Sequence, residues 1–256
     1  MPEAHWYIKN CRLFERLSSE QILRLERCSR MRTFPKHSSV YLPTDPADGA
    51  LLLTQGRVKL SHLTEEGKEA ILAYIEPGEL FGELALIGDS TREETAETVL
   101  PSTIIFIPAD ELERLMTQSA DLALGVSKLF GLRRRRIERR LKSLLFRSNR
   151  HRLVHLLLEL TEQYGKNSPE GILIGIRLSH QDLANIIGST RETVTMLLGT
   201  LQSEGLLRIS RQCIVIRNPQ KLSEEIHTPF HLPQPTEAHS ELPRPRAAQA
   251  LSLKPE

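Results

Sequence analysis

The stretch LSHQDLANIIGSTRETVTMLLGTLQSEG, residues 178–205, has the residue types and spacing that serve nucleic-acid binding. Two helices that cross closely need a small residue at their contact, a glycine in the turn and apolar residues on the second helix. Ala184 and Gly188 stand where the first two are needed, and Val194 and Leu197 supply the third. This pattern predicts a helix-turn-helix, whose second helix enters the major groove of DNA.

Capping signals mark where these helices begin. Ser179 with Asp182, and Ser189 with Glu192, have the spacing of capping boxes. After Gly205, the apolar runs LLRIS and CIVIRN flank a polar turn and predict the wing of a winged helix. Two ordinary core helices remain the alternative for any one such match, but the coincidence of anchors, caps and wing favours DNA binding.

Composition narrows the class of protein. The chain has 256 residues and a net charge of +2, which fits a globular protein of two modest domains or one large one. No apolar run approaches the ~20 residues of a membrane span, and MPEAHWYIKN lacks the apolar core of a signal peptide. We therefore expect a cytoplasmic protein with no membrane partner.

The sequence does not indicate an enzyme. Cys11, Cys28 and Cys213 are too few and too widely spaced for a disulfide framework or a zinc finger. The sequence shows no nucleophile–base pair, no metal-ligand spacing and no P-loop. We expect no catalytic residues, no metal and no cofactor.

The elements before the helix-turn-helix indicate an α+β fold. Ser18 with Gln21 predicts a capped amphipathic helix over residues 17–28. From Met31 to about Pro108 short β-like runs alternate with turn-formers such as TQG, which predicts an antiparallel sandwich or barrel. These runs are SSVYL, ALLLT, RVKLSHL, EAILAYI, LFGEL and STIIFI.

A long helical stretch is predicted from Asp110 to about Phe146. Its apolar residues recur mostly three or four apart, which is typical of a seam that pairs with a second copy. Packing of the seam on its own barrel is the alternative; we favour a homodimer, which also suits a palindromic operator. The predicted interface residues are Val126, Phe130, Ile137, Leu141 and Leu144.

The periodicity breaks at residues 147–150, RSNR, which reads as a hinge before another amphipathic helix. A proline-rich tail starts near His227 and has the composition of a disordered segment. The predicted domains are a sensor roll with an N-terminal helix (1–110), a long dimerisation helix (111–147), a winged helix-turn-helix (148–226) and the tail (227–256).

A β-roll, a long connecting helix and a winged helix containing GSTRETV together resemble the CRP/FNR family of bacterial transcription regulators. LFGELAL, residues 80–86, is similar to the phosphate-binding cassette of the family's cyclic-nucleotide-binding-like roll. The run LSHQ…IGSTRETVTMLLG resembles most the cyanobacterial global nitrogen regulator branch. The resemblance covers roughly residues 10–225.

The resemblance implies a homodimeric regulator of transcription, an activator that contacts RNA polymerase and binds palindromic double-stranded DNA. Arg191 and Glu192 match the residues that read a GTGA-like half-site, since Arg pairs with guanine and a carboxylate accepts from cytosine. The remaining predicted DNA contacts, mainly to phosphates, are Ser179, Gln181, Ser189, Thr190 and Arg211. A metabolite-binding module whose winged helix contacts protein is the alternative function.

The effector region departs from the nucleotide-binding members, which carry Arg, then Ser or Thr, then Ala. Glu94, Thr95 and Ala96 stand there, and a carboxylate repels a cyclic phosphate, so cyclic AMP is not expected. A one-residue shift in the alignment would instead bring Arg92 to the phosphate.

The nitrogen-regulator branch binds 2-oxoglutarate through two arginines and a glutamate, which match Arg92, Arg133 and Glu138. An unidentified anion, or no effector at all, remain alternatives. The full predicted effector set is Phe81, Gly82, Glu83, Leu84, Arg92, Thr95, Arg133 and Glu138.

Overall fold

A computed structural model describes residues 8, 11, 13–88, 90–210 and 213–227. The fold mixes helices and antiparallel sheets, which confirms the predicted α+β class. The described residues form two compact units, and the boundary between them falls inside one long helix, between Leu132 and Arg133. Arg211 and most of the predicted tail, residues 228–256, lie outside the described residues.

The N-terminal unit is a β-roll flanked by helices. Ser18 caps its first helix through the predicted box with Gln21. The strands pair antiparallel in the order β1-β6-β3-β4, with β2 on β6 and β5 on β3. The elements are α1 (Ser19–Cys28), β1 (Arg30–Phe34), β2 (Ser39–Tyr41), β3 (Gly49–Leu63), β4 (Glu69–Ile75), β5 (Leu80–Phe81), a 3-10 helix (Glu83–Ile87), β6 (Thr95–Pro108) and α2 (Ala109–Gln118).

The predicted turn at TQG is wrong. ALLLT and RVKLSHL belong to one strand, β3, which passes through Gly56 with a positive φ of 91°. The register against β6 shifts on both sides of Gly56, and a Cβ there would lie 2.3 Å from Oγ of Ser102. Glycine therefore permits an irregular strand that pairs with β6 along most of its length.

One long helical stretch was predicted from Asp110, but two helices are found. α2 ends at Gln118, and α3 (Ala120–Phe146) begins after Ser119, which is extended with φ −130°. The Ser119 hydroxyl accepts a hydrogen bond from the backbone N–H of Leu122 at 3.3 Å. An N-cap of this kind starts a new helix, and its signal was present in the sequence.

The first turns of α3 belong to the core of the N-terminal unit. Leu122 and Val126 are fully buried there with Leu112, Leu115 and Ile105, and Phe130 packs against the same cluster. Val126 consequently has no surface left for a second copy, and its assignment to the dimer interface is corrected. The apolar seam starts on the core side of α3 before it turns outward.

The C-terminal unit contains the rest of α3 and a winged helix. Its strands pair antiparallel in the order β7-β8-β10-β9, and β9 with β10 confirms the predicted wing. The elements are α4 (Asn149–Tyr164), β7 (Gly165–Ser168), β8 (Gly171–Ile174), α5 (His180–Ile187), α6 (Arg191–Ser203), β9 (Leu207–Ser210), β10 (Cys213–Ile216) and α7 (Pro219–Glu225). None of the described helices is long and apolar enough to cross a membrane.

Two elements of this unit were not predicted. The β7–β8 hairpin contains the polar strand GKNS, which carries no strand signal of its own. Helix α7 did have a signal: Asn218 caps it by accepting from the N–H of Lys221, and Pro219 occupies the first helical position. The wing is therefore one edge of a four-stranded sheet.

The predicted hinge at residues 147–150 lies inside the C-terminal unit. Ser148 caps α4 directly after the end of α3 at Phe146. The guanidinium of Arg152 donates to the carbonyls of Leu144 at 2.9 Å and Arg147 at 3.0 Å. These bonds fix the junction of the two helices, which is why the last part of α3 stays with the winged helix.

Candidate functional site

Helices α5 and α6 build the helix-turn-helix. Ser179 and Asp182 form the predicted capping box: the Asp182 carboxylate accepts from the Ser179 N–H at 2.8 Å, and the Ser179 hydroxyl accepts from the Asp182 N–H at 3.0 Å. Gly188 ends α5 in the left-handed region with φ 64°, which glycine adopts without strain. The turn between the helices is thus set by the predicted glycine.

The contact between the two helices uses the predicted small residue. Ala184 and Val194 are fully buried, as the anchor pattern requires. Leu197 is only half-buried, and its neighbours Leu198 and Leu201 are fully buried instead. The inner face of α6 therefore follows Val194, Leu198 and Leu201, which corrects the last predicted anchor by one residue.

The start of α6 also differs by one residue from the prediction. Its cap is Thr190, whose hydroxyl accepts from the N–H of Thr193 at 3.2 Å, and the predicted box of Ser189 with Glu192 is wrong. Ser189 instead donates its N–H to the carbonyl of Ala184 at 3.0 Å and completes the turn. Because the Ser189 N–H completes the end of α5, the N-cap of α6 is the next residue, Thr190.

Arg191 and Glu192 are consequently the first two residues of α6, and both side chains are exposed. The pKa of Glu192 lies below its ordinary value because its own backbone N–H and the Thr190 hydroxyl bond to the carboxylate. A cation and an anion thus stand side by side at the exposed start of the helix. This pair can donate to one base edge and accept from another.

The exposed face of α6 continues with residues of different chemistry. The Thr195 hydroxyl is engaged: it donates to the carbonyl of Arg191 at 2.8 Å and lies 2.8 Å from Nδ1 of His180. Met196 is 63 % exposed, and Gly199 and Thr200 follow it on this side of the helix. Beyond its first turn, the outer face is therefore mostly uncharged.

The start of α5 and the wing border a surface depression of about 380 Å³. Ser179, Gln181 and Arg191 line it together, so three of the predicted DNA contacts share one surface. Gln181 is exposed and donates its side-chain amide to Asn185 Oδ1 at 2.8 Å. The other lining residues are Leu178, His180, Ile209 and Ile214.

Two arginines that sequence reasoning missed hold the end of α5. Arg140 of α3 donates from Nη2 to the carbonyls of Asn185 and Ile186, and Arg152 of α4 donates to that of Ile187. Burial lowers the pKa of Arg140, although a guanidinium stays charged in proteins. Both cations complement the negative end of the helix dipole.

A third arginine ties the far end of α6 to the unit. Arg150 forms bidentate pairs with Glu204, at the end of α6, and with Glu225 of α7, at 2.6–3.0 Å. These carboxylates raise the pKa of Arg150 above its ordinary value. The end of α5, at the turn, and the end of α6 are therefore both held by charged side chains from α3 and α4.

The cassette segment of the N-terminal unit is ordered around Arg92. Its guanidinium donates to the carbonyl of Gly82 at 2.7 Å and to that of Gly49 at 2.6 Å. It also lies 4.8 Å from the centre of the Tyr41 ring. Arg92 is buried, and its Nε has no partner among the described residues. Arg92, the residue predicted to bind an anion, is thus hydrogen-bonded to the backbone of the cassette and of β3.

The other predicted effector residues of this unit surround the same segment. Phe81 is fully buried, Glu83 is buried at the start of the 3-10 helix, and Leu84 and Thr95 are half-buried. Gly82 has φ 65°, and a Cβ there would lie 2.7 Å from Nη1 of Arg92.

Glu94, which was predicted to stand at the phosphate-binding position, is also hydrogen-bonded within this unit. The Tyr41 hydroxyl donates to Oε1 of Glu94 at 2.7 Å. Tyr41 therefore contacts both the guanidinium of Arg92, over its ring, and the carboxylate of Glu94, through its hydroxyl.

Arg133 and Glu138 belong to the C-terminal unit. Glu138 accepts from Nε of Arg134 at 2.9 Å in an exposed pair of the kind that adds little stability. Arg133 is half-buried on the same helix. The predicted effector set is thus divided between the two units, with six residues in the N-terminal one. Among the described residues no cluster of His, Cys, Asp or Glu could hold a metal ion.

The later part of the predicted seam is open to solvent. Ile137 is 67 % exposed, and Leu141 and Leu144 are exposed as well. Leu145 and Phe146 add further exposed apolar surface at the end of α3. Contiguous apolar surface of this kind marks an interaction site.

Known proteins share both units. Residues 31–119 match the cyclic nucleotide-binding domain family, and residues 151–225 match the Crp-like helix-turn-helix domain. The global nitrogen regulator of Synechocystis sp. is 34 % identical over 215 residues, which cover 83 % of this chain and 93 % of that protein. A global nitrogen regulator of Synechococcus elongatus is also 34 % identical, over 77 % of this chain and 89 % of its own.

Solved structures agree with the sequence matches. The c-di-GMP responsive global regulator CLP of Xanthomonas campestris superposes with a TM-score of 0.69 at 27 % identity, over 78 % of this chain and 99 % of that one. The resemblance drawn from the cassette and the helix-turn-helix is thereby confirmed, and so is the expectation that the protein is not an enzyme. The chain belongs to the CRP/FNR family of transcription regulators, with a DNA-binding helix-turn-helix in its C-terminal unit.

Proposed function

We propose that this regulator binds a palindromic, GTGA-like operator as a homodimer and activates transcription. The observation that carries the proposal is the exposed pair of Arg191 and Glu192 at the start of α6. Arg presents a fork that pairs with O6 and N7 of guanine, and the carboxylate accepts from N4 of cytosine. Each contact of this type discriminates against a wrong base by about 1–3 kcal/mol.

The exposed seam supports the homodimer. Ile137, Leu141 and Leu144 would expose apolar surface to water in a single chain, and a second copy of the same helix would cover it. A two-fold dimer places two recognition helices on half-sites about 34 Å apart along the duplex. Each chain would then read one half of the palindrome.

Contact with RNA polymerase and a cytoplasmic location belong to the same proposal. A bacterial transcription activator acts on RNA polymerase in the cytoplasm. The alignment with a global nitrogen regulator, 34 % identical over 83 % of this chain, supports both parts of the proposal. Transcription in a purified system, with and without this protein, tests activation. A protein that lowers transcript yield from its own operator would be a repressor.

A small anionic effector such as 2-oxoglutarate, rather than cyclic AMP, is proposed to control the protein. Arg92 is a buried cation, and no described carboxylate pairs with it. A dicarboxylate would replace its two neutral carbonyl acceptors with anionic ones, which an arginine can hold in a bidentate pair. Glu94 stands where the nucleotide-binding members carry the arginine that neutralises a cyclic phosphate, so that contact is missing here. The residues proposed to bind the effector also include Arg133 and Glu138 of α3.

A gel-shift assay tests DNA binding. Wild-type protein is expected to retard a duplex with two GTGA half-sites, and Arg191→Ala should abolish that shift. Arg139→Ala removes the same charge from an exposed position on α3 and is the matched control. Equal retardation of a scrambled duplex would contradict sequence-specific binding and favour a module whose winged helix contacts protein.

A thermal-shift screen of 2-oxoglutarate, cyclic AMP and cyclic GMP tests the effector. A ligand that binds the native state raises the Tm by an amount that grows with the logarithm of its concentration relative to its Kd. We expect a shift with 2-oxoglutarate alone, and its loss in Arg133→Ala. A shift with cyclic AMP would overturn the interpretation of Glu94.

A further inference from the structure

Met196 is an apolar side chain on the outer face of the recognition helix. It is 63 % exposed and lies one turn after Glu192. The inner face of α6 consists of Val194, Leu198 and Leu201, so Met196 takes no part in the core.

Its neighbours on the same face leave it uncovered. Gly199 has no side chain, and a Cβ placed there would meet nothing within 4 Å. The Thr200 hydroxyl turns back and donates to the carbonyl of Met196 at 3.1 Å. Gly199 and Thr200 therefore do not cover the Met196 side chain, and exposure of an apolar side chain to water is unfavourable.

The chemistry of the groove decides what such a side chain can contact. A thioether has no N–H or O–H to donate and is a weak acceptor, so it cannot make the hydrogen bonds by which polar side chains read a base edge. The major groove offers one apolar feature, the C5-methyl group of thymine. Met also adapts its shape readily to an irregular apolar surface.

The position along the helix fits this target. Four residues of α-helix advance about 6 Å, which is close to two base-pair steps of about 3.4 Å. Glu192 would contact the polar edge of one base pair, and Met196 would reach a pair about two steps along the same groove.

We infer that Met196 is a specificity-determining residue that selects a thymine in each half-site by contact with its C5-methyl group. The inference rests on the proposed function, since it requires α6 to lie in the major groove. Burial of one methyl group supplies about a four-fold preference per half-site, or about 15-fold for the palindrome.

A methyl scan of the operator tests the inference. A duplex is first selected from a randomised pool with wild-type protein, and each thymine is then replaced by deoxyuridine, which lacks only the methyl group. One thymine per half-site should weaken wild-type binding about four-fold when replaced. Met196→Ala should bind the thymine and deoxyuridine duplexes equally, and Met196→Leu should restore the difference.

The outcomes separate the inference from the proposed function. A selected duplex in which no thymine shows a Met196-dependent methyl effect would overturn the inference alone. Failure to select any sequence would overturn sequence-specific binding, and the inference with it. A deoxyuridine effect that persists in Met196→Ala would assign the methyl contact to another residue.

Discussion

Arg152 binds three backbone carbonyls through one guanidinium, and its bond to Ile187 is the one that reaches the helix-turn-helix. Nη1 donates to the Ile187 carbonyl at 3.2 Å, while Nη2 and Nε hold the carbonyls of Leu144 and Arg147. Carbonyls in the last turn of a helix lack intrahelical partners, so each needs an outside donor. The position of α5 is thereby fixed to the junction of α3 and α4.

Arg152→Met should loosen this junction. The change removes hydrogen bonds from a charged donor, and we expect a loss of about 2 kcal/mol in the free energy of unfolding. Amide hydrogen exchange at Gly188 and Ser189 should also quicken, because both N–H groups bond to Ala184 at the end of α5. Urea unfolding and exchange measure the two effects.

Arg139→Met is the control for that variant, since Arg139 is exposed on α3 and carries the same charge. It should leave both the unfolding midpoint and the exchange rates near those of the wild type. Similar losses in both variants would show that net charge, rather than the bond to Ile187, is responsible.

Gly199→Ala should stabilise the protein. Gly199 lies inside α6, and a Cβ there meets nothing within 4 Å. Glycine in a helix costs roughly 0.5–1 kcal/mol relative to alanine, which corresponds to a rise in Tm of about 2 °C for a chain of this size. Differential scanning calorimetry measures it.

Gly125→Ala provides the contrast. Gly125 is also helical, but a Cβ there would lie 2.9 Å from Cδ1 of Leu13, so part of the gain is spent on moving that side chain. We expect a smaller rise in Tm, or none. A larger rise in Gly125→Ala than in Gly199→Ala would refute the packing argument.

Glu111 should make stability depend on acid pH. It is buried on α2, where Arg114 and then Arg24 hold its pKa below the ordinary 4.5 against the opposing effect of burial. Its contribution is therefore complete above pH 4.5 and disappears as the pH falls through the lower native value. Thermal unfolding between pH 7 and pH 3 should show this loss.

Glu111→Gln should flatten that acid limb, while Glu113→Gln, an exposed change on the same helix, should preserve it. The comparison is made between the pH-dependent parts of the two curves, because Glu111→Gln also lowers stability at neutral pH. An unchanged acid limb in Glu111→Gln would assign the pH dependence to other carboxylates.

Ile137→Glu should separate the proposed dimer into single chains, because a charge would replace an apolar group in the seam. Ile137 and Ile87 are 67 % and 63 % exposed, so Ile87→Glu on the roll is a matched control. Sedimentation velocity should give a dimer for the wild type and for Ile87→Glu. A monomeric wild-type protein would contradict the proposal that these residues of α3 form a dimer interface.

Local spacing made the helix-turn-helix predictable. Ala184, Gly188 and Val194 lie within a few turns of one another, and their types follow from helix geometry alone. The cap of α6 was missed because Ser189 and Thr190 are both competent caps. Only the bond from the Ser189 N–H to Ala184 decides between them.

Long-range contacts could not be predicted from the sequence. Arg140 and Arg152 meet their carbonyl partners on α5 across about 35–46 residues, and backbone acceptors carry no residue signature. Arg92 was predicted from the sequence as an effector-binding residue. Its two carbonyl partners, on Gly82 and Gly49, could be seen only once β3 and the cassette were placed.

Helix α3 continues unbroken through the boundary between the compact units, from Ala120 to Phe146. The backbone hydrogen bonds of a single helix therefore run across Leu132 and Arg133, and these residues have helical rather than loop geometry. Substitutions that break helices, proline above all, should be least tolerated in this stretch.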